Sequence, residues 1–333
     1  MTHPEIAAAL AAPLGATVVG SHEPIQTLWS GYGELFRLRL EGERAPDSII
    51  VKHVTAPVDR QHPRGWGGAV GHRRKLRSYA NEHAFYTRYA ARCDEGCRVP
   101  RWLGGHADAA GWLFLLEDLD AAGFPRHRRD RERGPLPERA IDACLRWLAR
   151  FHATFVGVEP AGLWPVGTYW HLATRPDELA AMRCGPLRRA AAAIDDHLNT
   201  ARFQTFVHGD AKLANFCFST HDDAAAVDFQ YVGGGVGMKD VVYFLGSVLD
   251  GEGLSRHESR WIDRYFHHLS HALPVRAPDV DATALEAEWR ALHPMAHADF
   301  ERFLDGWAPT HRKRNAYTKK VVERALASIP GRH

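Results

Sequence analysis

One stretch constrains the fold of this chain more than any other: a polar loop that is followed by a short hairpin. Asp210 and Asn215 lie in the loop, and Asp228 follows Asn215 by thirteen residues. The residues between them predict two strands, 215–219 and 224–229, joined by a polar turn. Because a hairpin returns the chain to the place where it began, we expect the two carboxylates and the amide to lie close together.

These residue types suit phosphoryl transfer. Mg²⁺ prefers oxygen ligands, which the carboxylate of Asp228 and the side-chain carbonyl of Asn215 supply. Asp210 is then left to accept the proton of an acceptor hydroxyl, and Lys212 has the length to reach the transferring phosphoryl group. A turn or capping role for the carboxylates, and a solvent-facing Lys212, are the structural alternatives. The complete set favours catalysis.

The motifs His208-Gly209-Asp210 and Asp228-Phe229-Gln230 resemble the catalytic loop and metal-binding motif of the aminoglycoside phosphotransferase and choline kinase-like family. Two further motifs, at 115–119 and 240–245, bring the chain nearest to the ecdysteroid kinase-like branch. The family shares the protein kinase fold. The resemblance therefore implies an α+β, bilobal protein kinase-like fold, and within it His208 braces the catalytic loop through backbone hydrogen bonds. Asp240 either steadies that loop or caps a helix.

The element pattern agrees with two lobes of different character. We expect a small β-rich N-lobe over residues 1–117, which carries the nucleotide site, and a large, mainly helical C-lobe over residues 118–333. Pro294 should kink or break its helix. The predicted N-lobe elements are strands at 17–19, 24–29, 35–40, 48–54, 98–100 and 111–116 and a helix over 76–92. The predicted C-lobe helices are 137–155, 176–182, 185–200, 238–249, 255–272, 283–304 and 312–329.

The resemblance also assigns nucleotide-binding residues to the N-lobe. Lys52 is similar to the kinase strand lysine that contacts the α- and β-phosphates, and Glu82 to the helix glutamate that pairs with it. A lysine in a β-branched strand also suits a solvent-facing position. Ser30-Gly31-Tyr32-Gly33 is predicted to cover the phosphates through Ser30, Gly31 and Gly33, although two glycines are also common in hairpins. Leu116-Glu117-Asp118 is the predicted hinge, where the backbone of Leu116 and Asp118 meets adenine.

Other residues leave two interpretations open. Aromatic and imidazole side chains that suit an acceptor pocket, or equally a packed core, are Trp164, Tyr169, Trp170 and His171. The pairs His267/His271 and His293/His297 have a spacing that chelates zinc. No acidic residue or cysteine lies at a sequence spacing typical of a third zinc ligand, so we expect no metal there.

Composition restricts the partners and the compartment. Lys plus Arg number 42 against 40 for Asp plus Glu, a balance that argues against a nucleic-acid partner. No stretch approaches the roughly 18 apolar residues of a membrane span, and the apolar segment 6–19 lacks the basic start of a signal peptide. Five scattered cysteines suit a reducing cytoplasm. The oligomeric state is not predicted.

Together these features predict a kinase that uses ATP and Mg²⁺ to phosphorylate a hydroxyl of a small-molecule acceptor. Asp210 is the expected base, with Lys212 beside it and Asn215 and Asp228 as metal ligands. A protein kinase is disfavoured, because a helix is predicted only about ten residues after Asp228 and leaves no room for a long activation segment. The alternative is a catalytically silent nucleotide-binding scaffold or sensor of the same fold. The acceptor's identity and the choice between ATP and GTP stay open.

Overall fold

The structure is a computed structural model that describes residues 15–28, 31–43, 45–55, 69–127 and 136–329. Over these residues the chain forms two compact units. One lies within Met1–Arg92 and Val99–Arg126, and the other within Cys93–Arg98 and His127–His333. The lobe boundary predicted after residue 117 stays a prediction.

The first unit is built on a five-stranded antiparallel sheet of order β1-β2-β3-β5-β4. Alternate residues of the strands are apolar, so one face buries Phe36, Leu38 and Val51 in a common core. Lys52 follows Val51 and therefore lies on the opposite face, the face of the helix. The elements are β1 Thr17–Thr27, β2 Gly33–Glu41, β3 Ser48–Thr55, α1 Ala69–Arg88, β4 Trp102–Asp108 and β5 Gly111–Glu117.

Three expectations for this unit are wrong in detail. The two strands predicted at 17–19 and 24–29 are one edge strand, whose register shifts accommodate Pro24. The strand predicted at 98–100 begins only at Trp102. The helix predicted over 76–92 occupies Ala69–Arg88, because the chain tightens into a 3₁₀ turn at Ala90–Arg92.

The described part of the second unit is mainly helical and contains four very short strands besides the two-residue strand at its border. Helix α2, Glu138–Phe155, is buried over most of its length, and in it Trp147 stacks on Phe151 at 4.9 Å and Phe155 on Phe206 at 4.6 Å. The helices are α2 Glu138–Phe155, α3 Pro176–Ala181, α4 Pro186–Asn199, α5 Met238–Val248, α6 Gly251–Arg276, α7 Ala282–Trp307 and α8 Ala316–Ala327. The strands are β7 Thr205–Val207, β8 Phe216–Phe218, β9 Ala224–Ala226 and β10 Gly233–Gly235, and the two-residue β6 spans Arg126–His127.

The pairing of the short strands determines where the predicted catalytic residues lie. β8 and β9 form the predicted antiparallel hairpin, and β7 pairs with β10, which the sequence analysis does not predict. Of the kink or break predicted at Pro294, the break is wrong, because α7 continues through it from Ala282 to Trp307, and the kink stays a prediction. Packing of α7 against α3, α4, α5 and α8 offsets the hydrogen bond that a proline cannot make. Among the described helices, none combines the length and the apolar character needed to cross a bilayer.

Candidate active site

The loop that follows β7 is held by a buried carboxylate. The backbone N–H of His208 donates to Oδ2 of Asp240 at 2.6 Å, and that of Gly209 donates to Oδ1 at 3.0 Å. Asp240 is fully buried in the first turn of α5. His152 of α2 lies 3.2 Å from Oδ2 through Nε2 and 2.7 Å from the Tyr265 hydroxyl through Nδ1. The loop backbone is thereby joined to the centre of the helical unit.

The His208 side chain braces the same loop. Its Nε2 lies 3.1 Å from the carbonyl oxygen of Val227, which can only accept, so Nε2 carries the proton. Nδ1 therefore accepts from the backbone N–H of Asp210 at 3.3 Å. The bracing roles expected of His208 and Asp240 are confirmed. Gly209 has a φ of 78°, and a Cβ there would lie 2.2 Å from the carbonyl oxygen of Tyr231, so only glycine fits.

Both carboxylate oxygens of Asp210 receive donors. Oδ1 accepts from the Tyr243 hydroxyl at 3.0 Å, and Oδ2 accepts from Lys212 Nζ at 2.7 Å and from Asn215 Nδ2 at 3.2 Å. Tyr243 projects from α5, one helical turn after Asp240, so one helix orients both the loop backbone and the carboxylate of Asp210. The side chain is held in one orientation before any ligand arrives.

Asn215 presents an oxygen ligand. Its Nδ2 also donates to the backbone carbonyl of Asp210 at 2.8 Å, and a carbonyl can only accept, which assigns the nitrogen and leaves Oδ1 for a metal. The carbonyl of Asn215 accepts from the N–H of Val227 at 3.0 Å, which brings Asp228 to the same end of the hairpin. The carboxylate and amide oxygens together fit a hard divalent cation.

Asp228 has a φ of 70°, in the left-handed region that costs most residues about 1–2 kcal/mol. Backbone strain of this kind concentrates at functional sites, where the surrounding structure maintains it. Lys212 lies near both carboxylates: burial alone would lower its pKa, but Asp210 and Asp228 raise the pKa of Lys212 above its ordinary value. Its ammonium group therefore stays charged in the neutral pH range.

In the first unit, the predicted ion pair between Lys52 and Glu82 is present. Nζ and Oε2 are 2.6 Å apart, and both side chains are buried between β3 and α1. The ammonium group also lies 5.5 Å from the ring centre of Tyr79 and 5.8 Å from that of Phe114. The pair holds Lys52 in a single position, and its contact with a nucleotide stays a prediction.

The predicted phosphate loop is described in part, because Ser30 lies outside the described residues. Gly31 has a φ of 71° and Gly33 a φ of 117°. The N–H of Gly31 donates to Leu28 O at 3.1 Å, and the N–H of Leu28 donates to Gly33 O at 2.8 Å, which makes a tight turn. A Cβ at Gly33 would lie 2.0 Å from the carbonyl oxygen of His53. The backbone therefore needs these glycines whether or not it binds phosphate.

At the predicted hinge, the side chains of Leu116 and Asp118 are both occupied by contacts within the first unit. Leu116 is buried in β5, where it pairs with Ile50. The carboxylate of Asp118 accepts from Arg37 at 2.5 and 3.1 Å and from the Ser48 hydroxyl at 2.6 Å. Burial alone would raise the pKa of Asp118, but these donors lower it below its ordinary value. The side chain of Asp118 therefore serves the unit's own structure.

The four residues proposed for an acceptor pocket divide into two groups. Trp170 is fully buried and donates to Asp299 at 3.0 Å, so it belongs to the core, and His171 lies 3.5 Å from Asp195. Tyr169 instead borders the catalytic loop, and Trp164 donates to the carbonyl oxygen of Gln230 at 2.9 Å. Backbone hydrogen bonds hold this segment in place. Gly167 N donates to Gly234 O at 2.8 Å, Thr168 N to Tyr231 O at 3.1 Å and Tyr169 N to Gly209 O at 3.2 Å.

Sequence reasoning missed two contacts made by predicted site residues. Tyr243 lies in a motif noted for its likeness to the family, but no role follows from the sequence for its hydroxyl. Its position three residues after Asp240, on the same helix face, is the signal that finds it. The Arg37 partner of Asp118 has no such signal, because 81 residues separate the two.

Comparison with known proteins gives a family match and a fold match. The family model described as "Phosphotransferase enzyme family" matches residues 50–273. The solved structure of the choline kinase LicA from Streptococcus pneumoniae is 13% identical, with a TM-score of 0.50, and the match covers 98% of this chain and 100% of that chain. This likeness supports a protein kinase-like fold of the α+β class. A search of curated proteins finds no match.

Two further solved structures are similar at lower scores. The macrolide 2'-phosphotransferase MphH from Brachybacterium faecium is 14% identical, with a TM-score of 0.48 and coverage of 98% of this chain and 100% of that chain. The aminoglycoside phosphotransferase APH(3'')-Id from Streptomyces rimosus is 15% identical, with a TM-score of 0.43 and coverage of 87% and 97%.

Proposed function

Since the chain belongs to the phosphotransferase enzyme family and is an ATP-dependent phosphotransferase that acts on an alcohol group, we propose the following reaction for it. The γ-phosphoryl group of ATP is transferred to a hydroxyl of a small molecule, and Asp210 acts as the base. One observation carries this proposal: the carboxylate of Asp210 is oriented by Tyr243, Lys212 and Asn215.

In the proposed step, the acceptor hydroxyl oxygen forms a bond to the γ-phosphorus. The bond from that phosphorus to the β,γ-bridging oxygen breaks, and ADP leaves with the electron pair. The hydroxyl proton passes to the carboxylate of Asp210. Base catalysis of this kind contributes about 10²- to 10⁴-fold, and alignment of the hydroxyl by a fixed carboxylate adds to it.

We propose that Asn215 Oδ1 and Asp228 hold Mg²⁺, which when bound neutralises charge on the phosphate oxygens. The ammonium group of Lys212 offsets charge on the transferring phosphoryl group. For the remaining nucleotide contacts we propose the first unit, with Lys52, oriented by Glu82, on the α- and β-phosphates.

The other proposed nucleotide contacts are made by backbone atoms. We propose that the turn at Ser30, Gly31 and Gly33 faces the phosphates, where the N–H of Gly31 would have to leave Leu28 O, its acceptor in this structure. The backbone of Leu116 and Asp118 is proposed to contact adenine. The narrower resemblance to the ecdysteroid kinase-like branch stays a prediction. A cytoplasmic location is also proposed, because scattered cysteines suit a reducing compartment.

The experiment measures phosphoryl transfer and nucleotide binding on the same variants. The acceptor panel contains choline, an aminoglycoside, a macrolide, a sugar and a steroid alcohol, and ATP binding is titrated calorimetrically with and without Mg²⁺. Asp210→Asn should bind ATP with wild-type affinity and lose about 10²- to 10⁴-fold in turnover. Asp228→Ala should lose the gain in ATP affinity that Mg²⁺ produces.

The matched control is Asp222→Asn in the turn between β8 and β9. Asp222 also has a positive φ, of 61°, and its carboxylate pairs with Arg139. This variant should keep both wild-type turnover and the Mg²⁺ effect. Tight Mg²⁺-ATP binding without transfer to any acceptor in the panel would favour the silent scaffold. Turnover by Asp210→Asn at the wild-type rate would refute the role of the base.

A further inference from the structure

A second cluster of ligand-type side chains lies on three helices of the second unit, apart from the residues of the catalytic loop. Glu258 projects from α6, His293 and His297 from α7, and Tyr317 from α8. His293 Nε2 is 3.0 Å from Oε2 of Glu258, and His297 Nε2 is 2.8 Å from Oε1. The Tyr317 hydroxyl donates to Oε2 as well. Both imidazoles therefore converge on one carboxylate.

The geometry points to a zinc site formed by His293, His297 and Glu258. One ligand atom from each lies within 4.8 Å of the other two. Zn²⁺ binds histidine nitrogen at about 2.0–2.1 Å and carboxylate oxygen at about 2.0–2.2 Å, so ligands of one tetrahedral ion lie within about 3.5 Å of one another. The two nitrogen–oxygen distances, 3.0 and 2.8 Å, already lie inside this range, so the same three side chains can surround one ion. This inference does not rest on the proposed kinase reaction.

The charge of the cluster suits a cation. Glu258 is only 1% exposed, and burial of an ionised carboxylate is costly unless it is paired or coordinates a metal; here the two imidazoles and the Tyr317 hydroxyl pair with it. Metals bind histidine in its neutral form. When Zn²⁺ binds, each imidazole carries its proton on Nδ1, and the two Nε2 lone pairs become ligands.

Two features complete the site. The Tyr317 hydroxyl donates to the Glu258 carboxylate, as partners of metal-ligating carboxylates do. A cavity of about 110 Å³, large enough for a water molecule, borders His297. The bound ion would link α6 directly to α7, and so would stabilise the C-terminal helices without contacting Asp210.

The pair His267/His271 on α6 provides a matched control. It has the same spacing of four residues, and its ring centres lie 4.4 Å apart. His271 Nδ1 is bound to the backbone carbonyl of His267 at 2.7 Å. Within the described residues, a group of three ligands forms only around Glu258. The two pairs therefore share a spacing but differ in whether a carboxylate joins them, and a zinc titration distinguishes them.

The test uses the full chain, stripped with a chelator and titrated calorimetrically with Zn²⁺ alone. Co²⁺ is used in parallel, because its visible spectrum reports four-coordinate geometry. The wild type should bind one equivalent and gain thermal stability. His293→Gln should lose at least about 100-fold in affinity, and Tyr317→Phe about 10-fold, since outer-shell partners contribute 10- to 100-fold. His267→Gln, and Asp228→Asn at the proposed magnesium site, should leave the isotherm unchanged.

The outcomes separate the site from adventitious binding. A wild-type chain that binds no stoichiometric Zn²⁺, or a Co²⁺ complex with an octahedral spectrum, would overturn the inference. Equal losses in His267→Gln and His293→Gln would overturn it too. If His293→Gln does not fold, the Tyr317→Phe variant and the wild-type Co²⁺ spectrum decide, because neither removes a ligand.

Discussion

Replacing Asp240 by asparagine should loosen the catalytic loop without replacing any residue that we propose to contact substrate. Asp240 is fully buried and accepts hydrogen bonds from the N–H groups of His208 and Gly209. Asparagine has only one acceptor oxygen. If that oxygen faces the N–H of His208, the amide NH₂ faces the N–H of Gly209, so two donors oppose each other in the interior.

The expected cost follows from these contacts. A hydrogen bond to a charged group contributes about 1.5–3 kcal/mol, and a buried donor left without an acceptor costs about 1–3 kcal/mol. Removal of a buried charge recovers part of this sum. We therefore expect Asp240→Asn to lower the free energy of local unfolding by about 2–4 kcal/mol. Since 1.4 kcal/mol is a factor of ten, amide exchange at Gly209 should accelerate by about 30- to 1000-fold.

Hydrogen exchange of a peptide that spans 206–212, followed by mass spectrometry, measures this directly, and turnover is measured alongside it. A loop misplaced by 1 Å costs about 100-fold in rate, so turnover should fall by at least about tenfold. The matched control is Asp281→Asn at the N-cap of α7, where Asp281 accepts from Ala284 N–H at 3.0 Å. Asparagine caps as well as aspartate. Unchanged exchange at Gly209 in Asp240→Asn would refute the reasoning.

Three further predictions concern stability. Gly209→Ala places a Cβ 2.2 Å from a carbonyl oxygen at a φ of 78° and should cost at least about 2 kcal/mol; a wild-type melting temperature would contradict this. Lys52→Met leaves Glu82 buried without its partner and should cost about 3–5 kcal/mol, whereas Lys52→Met with Glu82→Leu should regain most of the stability but not ATP affinity. Thermal unfolding tests the predicted changes in stability, and ATP titration tests the predicted loss of affinity. Burial alone would raise the pKa of Asp142. Basic partners on α6, among them Arg264 at 2.6 Å, have the larger effect and lower that pKa below its ordinary value. A carboxylate of this kind stabilises the fold above its unfolded pKa of about 3.9 and loses that effect as the pH falls through its lower folded pKa. Asp142→Asn should therefore be less stable than the wild type at pH 7, and the gap should shrink in urea titrations below about pH 4; a gap that does not change with pH would contradict the assignment.

The parts of the site that lie close in sequence could be predicted, because local geometry brings them together. Asp210, Asn215 and Asp228 are joined by a hairpin, and a strand–helix pairing explains Lys52 and Glu82. The hairpin follows from strand periodicity and turn chemistry, both visible in the residues themselves. The pairing of Lys52 with Glu82 is implied by the resemblance to the family.

The parts that could not be predicted depend on contacts distant in sequence or on elements too short to show a pattern. β10 consists of three glycines and has none of the β-branched residues that mark a strand, so its pairing with β7 leaves no signal. Glu258 lies 35 residues before His293, on a different helix. Glu258 becomes a third ligand only because α6 packs against α7, and such packing produces no fixed spacing in the sequence.

The segment from Trp164 to Tyr169 touches the catalytic loop through main-chain atoms. Its hydrogen bonds to Gly209, Tyr231 and Gly234 use N–H and carbonyl groups that every residue type except proline provides. The Tyr169 side chain takes no part in these hydrogen bonds, so backbone atoms alone hold Gly209 and this segment against each other. Under the proposed reaction, a change of side chain at position 169 would alter the border of the site and leave these backbone contacts in place.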